Sequence, residues 1–268
     1  MRNLRLILSY DGSEFVGWQV QPGLPTIQGT LSTVIGRLTG ENVLPQGSGR
    51  TDAGVHALGQ VTTFATASPI PIENWRKVLN DGLPASIRVL EVSEAPADFH
   101  ARKSAKAKTY HYRIYRGDVC PPFLSRYVWH YPFPLNESAM SQAASVVVGE
   151  HDFTSFAAVD PDRVQRIAAE ETISDRGHGE SSGKADGANN VRTVFSSEWT
   201  RKDGEFIYTV RGNGFLHHMV RNLVGTFLLV GKGSLDSEGL RKILAARNRS
   251  AAGATAPASG LYLVRVEY

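Results

Sequence analysis

Residues 43–66 read VLPQGSGRTDAGVHALGQVTTFAT. A short extended run at 43–47 leads into a glycine-rich connection, GSGRTDAGVHAL, and a second extended run follows at 60–66. Upstream, Thr26 can cap a helix whose apolar positions are Ile27, Leu31, Val34, Ile35 and Leu38, with Gly40 as its stop. Before that helix, Leu4, Leu6, Leu8 and Tyr10 alternate with Arg5, Ile7 and Ser9, the period of a half-buried strand. Downstream, the pattern predicts a helix over 73–80 and a strand over 87–92. The order is β-α-β-β-α-β, the ferredoxin-like plan that RNA-recognition modules also use.

The remainder repeats that order with longer connections. Strands are expected at 108–115, 191–200, 205–211 and 261–266, and helices at 137–148, 217–230 and, as an addition, 237–247. Placing the boundary within 101–107 divides the chain into halves at 1–104 and 105–268. The expected fold class is α/β in the α+β sense: two tandem ferredoxin-like halves whose sheets join edge to edge into one mixed, mainly antiparallel sheet. The cleft where they meet is a usual place for a ligand. Residues 174–190, SDRGHGESSGKADGANN, hold almost no apolar anchor and read as a mobile loop.

Composition excludes several classes. The single cysteine, Cys120, permits neither an internal disulfide nor a cysteine-rich zinc site. The longest apolar stretch, 219–230, is too short to span a membrane and includes Arg221. Residues 4–10 alternate rather than form a signal-peptide block, so the expected location is the cytoplasm, with no membrane partner. A net charge of +3 permits nucleic-acid binding without demanding it, and makes the placing of the charges decisive.

Asp52 is the first candidate for chemistry. An aspartate before Ala-Gly is commonly a turn former. Here glycines at 47, 49 and 54 allow close backbone approach, and in an extended stretch Arg50 would project to the same side as Asp52. A carboxylate and a guanidinium facing one cleft suit a phosphate-bearing substrate. Arg221 lies in a helix apolar nearly all round, and a buried arginine requires a carboxylate or comparable acceptors. The partner is either a structural acid or Asp52 itself. Tyr110 and Tyr112 share one strand face, as core residues or as a platform for an unstacked base. Arg102, Lys103, Lys106, Lys108, Arg113 and Arg116 form a basic cluster around that strand. Lys232, Arg241, Lys242, Arg247 and Arg249 form another, and both suit a solvated face or phosphate contact. His56, His100, His151, His217 and His218 show no metal-ligand spacing and read as structural histidines. Gly212-Asn213-Gly214 is too short for a nucleotide fingerprint and reads as a tight turn.

Taken together, these stretches resemble the tRNA pseudouridine synthase A family nearly end to end. YDGSEFVGWQVQPGLPTIQG resembles its opening segment and GRTDAGVHALGQV its catalytic motif. FHARKSAKAKTYHYRI, GEHDFTSF, VRTV, GNGFLHHMVRNLVGTFLLVGKG and APASGLYLVRVEY resemble its later blocks, in order. The resemblance implies that Asp52 is the catalytic aspartate, with Arg50 aiding base flipping, Tyr110 packing on the target uracil and Arg221 pairing with Asp52. It also implies a homodimer acting on uridines 38 to 40 of the tRNA anticodon stem-loop. The stretch 157–190 is longer and more polar than the family usually shows.

The chemistry agrees with these implications. Pseudouridylation breaks the N1–C1′ bond and joins C5 to C1′, a net isomerisation for which no cofactor is expected. A stacked base must first be flipped out. The carboxylate can then attack C1′, add to C6, or abstract the C2′ proton. A non-catalytic double RNA-binding module is the rival reading, and a cysteine nucleophile at Cys120 a second.

Overall fold

The computed structural model describes residues 1–158 and 190–268. The expected loop 174–190 lies outside the described residues except for Asn190, as does most of the long polar stretch around it. In the first half, β1 (Arg2–Tyr10) is followed by α1 (Ile27–Thr39), β2 (Gln46–Gly47), β3 (His56–Thr66), α2 (Ile72–Gly82) and β4 (Ile87–Ala95). In the second come β5 (Ala107–Tyr115), β6 (Trp129–His130), α3 (Glu137–Ala144), β7 (Gly149–Asp152), β8 (Val191–Lys202) and β9 (Glu205–Gly212). Helices α4 (Met219–Gly231) and α5 (Ser237–Ala246) and the closing strand β10 (Leu261–Glu267) complete it.

The ten strands of the described residues belong to one mixed sheet, ordered β4-β1-β3-β10-β5-β9-β8-β7, with β2 on β3 and β6 on β5. With the short β6 and β7 left aside, each half contributes its strands in the sequence fourth, first, third, second, so the ferredoxin-like plan occurs twice. The join is parallel: Tyr262 and Leu263 of β10 pair with His56 and Ala57 of β3, while β10 runs antiparallel to β5. That join puts the end of the chain at the centre of the sheet.

Local chemistry accounts for the elements. Leu4, Leu6, Leu8 and Tyr10 of β1 are all buried, as their alternation requires. Thr26 Oγ1 accepts from the Gly29 amide at 3.2 Å to cap α1, and Gly40 ends it in the left-handed region at φ 75°. Trp75 and Leu79 turn α2 onto the sheet, where Trp75 meets Phe64 edge-on at 5.6 Å.

Several boundaries differ from the sequence reading. Strand β3 begins at His56 rather than residue 60, because its first residues pair with β10, a partner distant in sequence. Strand β2 keeps only Gln46 and Gly47, since Gln28 Nε2 takes the Pro45 carbonyl at 2.9 Å. The helix expected over 137–148 ends at Ala144 and tightens into a 3₁₀ turn at Ser145–Val147. The β-branched run there and Gly149 at φ 108° redirect the chain into β7. Helix α4 starts at Met219, because His218 sits in the left-handed region.

Candidate active site

A cleft of about 560 Å³ opens at the junction of the halves. Its wall includes the 47–55 connection, β5, the 100–103 turn and the start of α4. The connection is held from behind. Trp18 donates its amide to the Thr51 carbonyl at 3.0 Å, and Thr51 Oγ1 lies 2.9 Å from the Tyr10 hydroxyl. Gly17 permits this approach on two grounds: φ is +87°, and a Cβ there would stand 2.6 Å from the Thr51 oxygen. With Thr51 turned into the core, Arg50 and Asp52 on either side of it both line the cleft, as the extended-strand reading expects. Arg50 lies at the exposed rim, its Nε donating to Gln19 Oε1 at 3.2 Å.

Arg221 reaches Asp52 from 169 residues away: its Nη1 donates to Oδ2 at 3.0 Å. Its Nε donates to the Ala256 carbonyl at 2.7 Å, so the guanidinium is fixed at two points. The pairing of a buried arginine with Asp52 is therefore present. Two further groups stand at the same carboxylate. His217 Nε2 lies 3.4 Å from Oδ1 and His218 Nε2 3.3 Å from Oδ2, with the imidazoles 4.0 Å apart. The sequence reading takes these two histidines as structural; the structure places both at the cleft carboxylate. Each taken alone has no ligand spacing, but the doublet lies three and four positions before Arg221, within one helical turn of it. That spacing was the signal available in the sequence. His218 holds φ 59°, ψ 2° to reach its place, a conformation costly for a bulky residue.

Burial pushes the Asp52 carboxyl up, but the His217 hydrogen bond, the two imidazoles and Arg221 outweigh it and hold the group below its ordinary value. His218 is itself lowered, by burial first, against the pull of Asp52. The imidazole is thus neutral near pH 7, and the permanent counter-charge is the Arg221 guanidinium. Among the described residues, donor atoms of Asp52, His217 and His218 lie within 4.8 Å of one another, a spacing that a metal ion could bridge. The guanidinium on the same carboxylate opposes a second cation there, so the trio reads as proton-handling groups.

Tyr110 stands in the cleft wall, edge-on to Phe215 at 5.0 Å. Tyr112, on the same strand face, belongs to the core and donates its hydroxyl to the Pro257 carbonyl at 2.7 Å. The basic cluster separates in the same way. Arg113 forms a bidentate pair with Glu205, and Arg116 bonds Glu137 at 3.0 Å, so neither is free phosphate-binding surface. Arg102, Lys103 and Lys108 line the cleft. In the C-terminal group Arg249 binds Asn222, Thr255 and the carbonyls of Ala252 and Gly253, which makes it a structural clamp.

A profile of the family described as tRNA pseudouridine synthase matches residues 6–102 and 143–268. Over the whole of both chains, the protein is 48% identical to the tRNA pseudouridine synthase A of Solibacter usitatus and 46% identical to that of Brevibacillus brevis. It is 45% identical to that of Moorella thermoacetica over 99% of each chain. Asp52 and Arg221 fall within the profile-matched segments; Lys108 and Tyr110 fall between them and within the full-length likenesses.

Proposed function

This chain belongs to the tRNA pseudouridine synthase family and is an isomerase acting on uridine in tRNA, and from that premise we propose that Asp52 is its catalytic carboxylate. The observation that carries the proposal is the 3.0 Å contact between Arg221 Nη1 and Asp52 Oδ2, made in a cleft that also holds Tyr110. Attack at C1′, addition at C6 and proton abstraction at C2′ all need an ionised, aimed carboxylate. A fixed guanidinium supplies both properties.

Tyr110 is the surface against which the flipped uracil packs: its ring lines the cleft, largely buried, and is braced edge-on by Phe215. Arg50, at the exposed rim, meets the displaced strand. The substrate is the anticodon stem-loop, with uridines 38, 39 and 40 as targets, and the working unit is a homodimer.

The test is an unmodified tRNA transcript incubated with the protein and mapped by carbodiimide treatment and primer extension, beside an Asp52→Asn variant. Pseudouridine is expected on the 3′ side of the anticodon stem-loop, with Asp52→Asn slower by about a thousandfold or more. Product confined to another arm of the tRNA would reject the anticodon assignment. A variant as fast as the natural protein would reject Asp52. Sedimentation of the free protein tests the dimer.

A further inference from the structure

Lys108 is half-buried in the cleft wall, and the mechanism above makes no use of it. Its Nζ donates to the Ser48 carbonyl at 2.7 Å and lies so close to Gly49 that a Cβ there would stand 2.8 Å from it. The amine is therefore pressed against the backbone of the Asp52-bearing connection. The charges that act on it are cationic: Arg102 and Arg192 stand near, and Arg50 lines the same cleft. The cleft carboxylate, Asp52, is matched by Arg221. Burial lowers Lys108 to about 8, with Arg102 and Arg192 pushing the same way. A half-buried amine held against the backbone, with Arg102 beside it, is a place where an anion is favoured.

Position identifies the anion. Lys108 and Tyr110 are two residues apart on β5, so they face the same side about 6.6 Å apart along the strand. That is the distance over which one nucleotide extends from its base to its phosphate. We propose that Lys108 seats a backbone phosphodiester of the RNA, the one belonging to the nucleotide whose uracil lies on Tyr110. The proposal rests on the Tyr110 reading and adds the feature that fixes the sugar between two anchors, so that C1′ is presented to Asp52.

Binding then couples to protonation. An anion on the amine raises its pKa, so the contact is fully present below about 8, the value in the empty cleft. It is lost as pH rises through the higher, bound value.

The test measures binding of full-length protein in an Asp52→Asn background, with Lys108 or with Lys108→Met. The RNA is a stem-loop in which the mapping assay has found product, carrying a single neutral methylphosphonate on either side of the target uridine. With Lys108 in place, one neutral linkage is expected to weaken binding about tenfold, and in Lys108→Met to change it less than twofold. Lys108→Met should also flatten the salt dependence by about one unit of log-log slope. An equal penalty in both proteins would overturn the proposal. If Lys108→Met does not fold, the Lys108 protein alone decides. Its affinity should fall from about pH 8 upward on normal RNA and lose that fall on the neutral linkage, and an unchanged fall would overturn the proposal. Because the RNA is chosen for product formed by the natural protein, either negative result removes the Lys108 assignment and leaves the synthase reading standing.

Discussion

Helices α2 and α4 stand at the same place in the two copies of the β-α-β-β-α-β plan, between third and fourth strands, yet they have opposite characters. Helix α2 buries only Trp75 and Leu79 and turns Glu73, Arg76, Lys77 and Asp81 to solvent. Helix α4 buries every residue except Arg221 and Leu229, which are partly covered. The added chain makes the difference. The segment after α5 lies along α4, where Ala256 donates its amide to the Arg221 carbonyl at 3.2 Å and Gly253 to Thr226 Oγ1 at 2.9 Å. A topology therefore provides a place for a helix, and the covering decides what the helix can do. Only the covered one can hold a guanidinium where water does not dilute its effect on a carboxylate.

The largest effect that would test this contrast comes from Arg221→Met. It removes the fixed cation from Asp52 and is expected to lower turnover at neutral pH by on the order of a hundredfold or more. The pH profile gives the sharper reading. In the natural protein Asp52 is held below the ordinary carboxylate range, so the ionised form that the proposed role requires is lost only as pH falls through the lowered value. Without Arg221 the upward push of burial is less opposed, and the acid limb should move to higher pH, with the two imidazoles still holding part of the lowering. An unmoved limb would mean that Arg221 only holds the halves together. On α2 the exposed Lys77–Asp81 pair, 2.7 Å apart, makes the control: Lys77→Met should leave both the melting midpoint and the profile where they are.

Next in size is a glycine comparison. A Cβ on Gly225 of α4 would stand 1.7 Å from the Ala254 carbonyl oxygen, so Gly225→Ala must push backbone apart. It should cost about 3 kcal/mol or more in urea unfolding. On α2, the nearest group to a Cβ on Gly82 would be the Val34 side chain, at 2.9 Å, which can rotate. There the loss is offset by alanine's better helix propensity, and the net change should be within about 1 kcal/mol. Equal costs at the two sites would contradict the claim that α4 alone is clamped on its outer face.

The strands and most helices were legible because their signal is local. The alternation of Leu4 to Tyr10 is visible within a few residues, and the Thr26 and Gly40 caps of α1 are single-residue events. The Asp52–Arg221 pair was legible for a different reason: a charge in an all-apolar helix demands a partner, and few acids were placed to provide one. What was not legible depends on partners far away in the chain. Arg113 and Arg116 look like RNA-binding cations until Glu205 and Glu137 are found beside them. His217 and His218 look inert because each was judged by ligand spacing along the chain, whereas their partner lies in the other half. Strands β6 and β7, with two and four residues, are too short to show a period.

The smallest effect concerns how the two helices begin. Neither has a side-chain cap: α2 follows Pro71, and α4 follows His218 at φ 59°. At α2 the defect is incidental, so Pro71→Ser should add up to about 1 kcal/mol of stability without touching activity. At α4 the conformation aims an imidazole at Asp52. His218→Gly relieves the left-handed strain, worth up to about 1 kcal/mol, less the unfolded-state freedom that glycine returns. Its melting midpoint should hold or rise slightly while turnover falls. A variant at least as stable but slower would show that strain at this helix start is retained for the site. One that is both stable and fully active would mean that the covering of α4, and not its first residue, is what distinguishes it from α2.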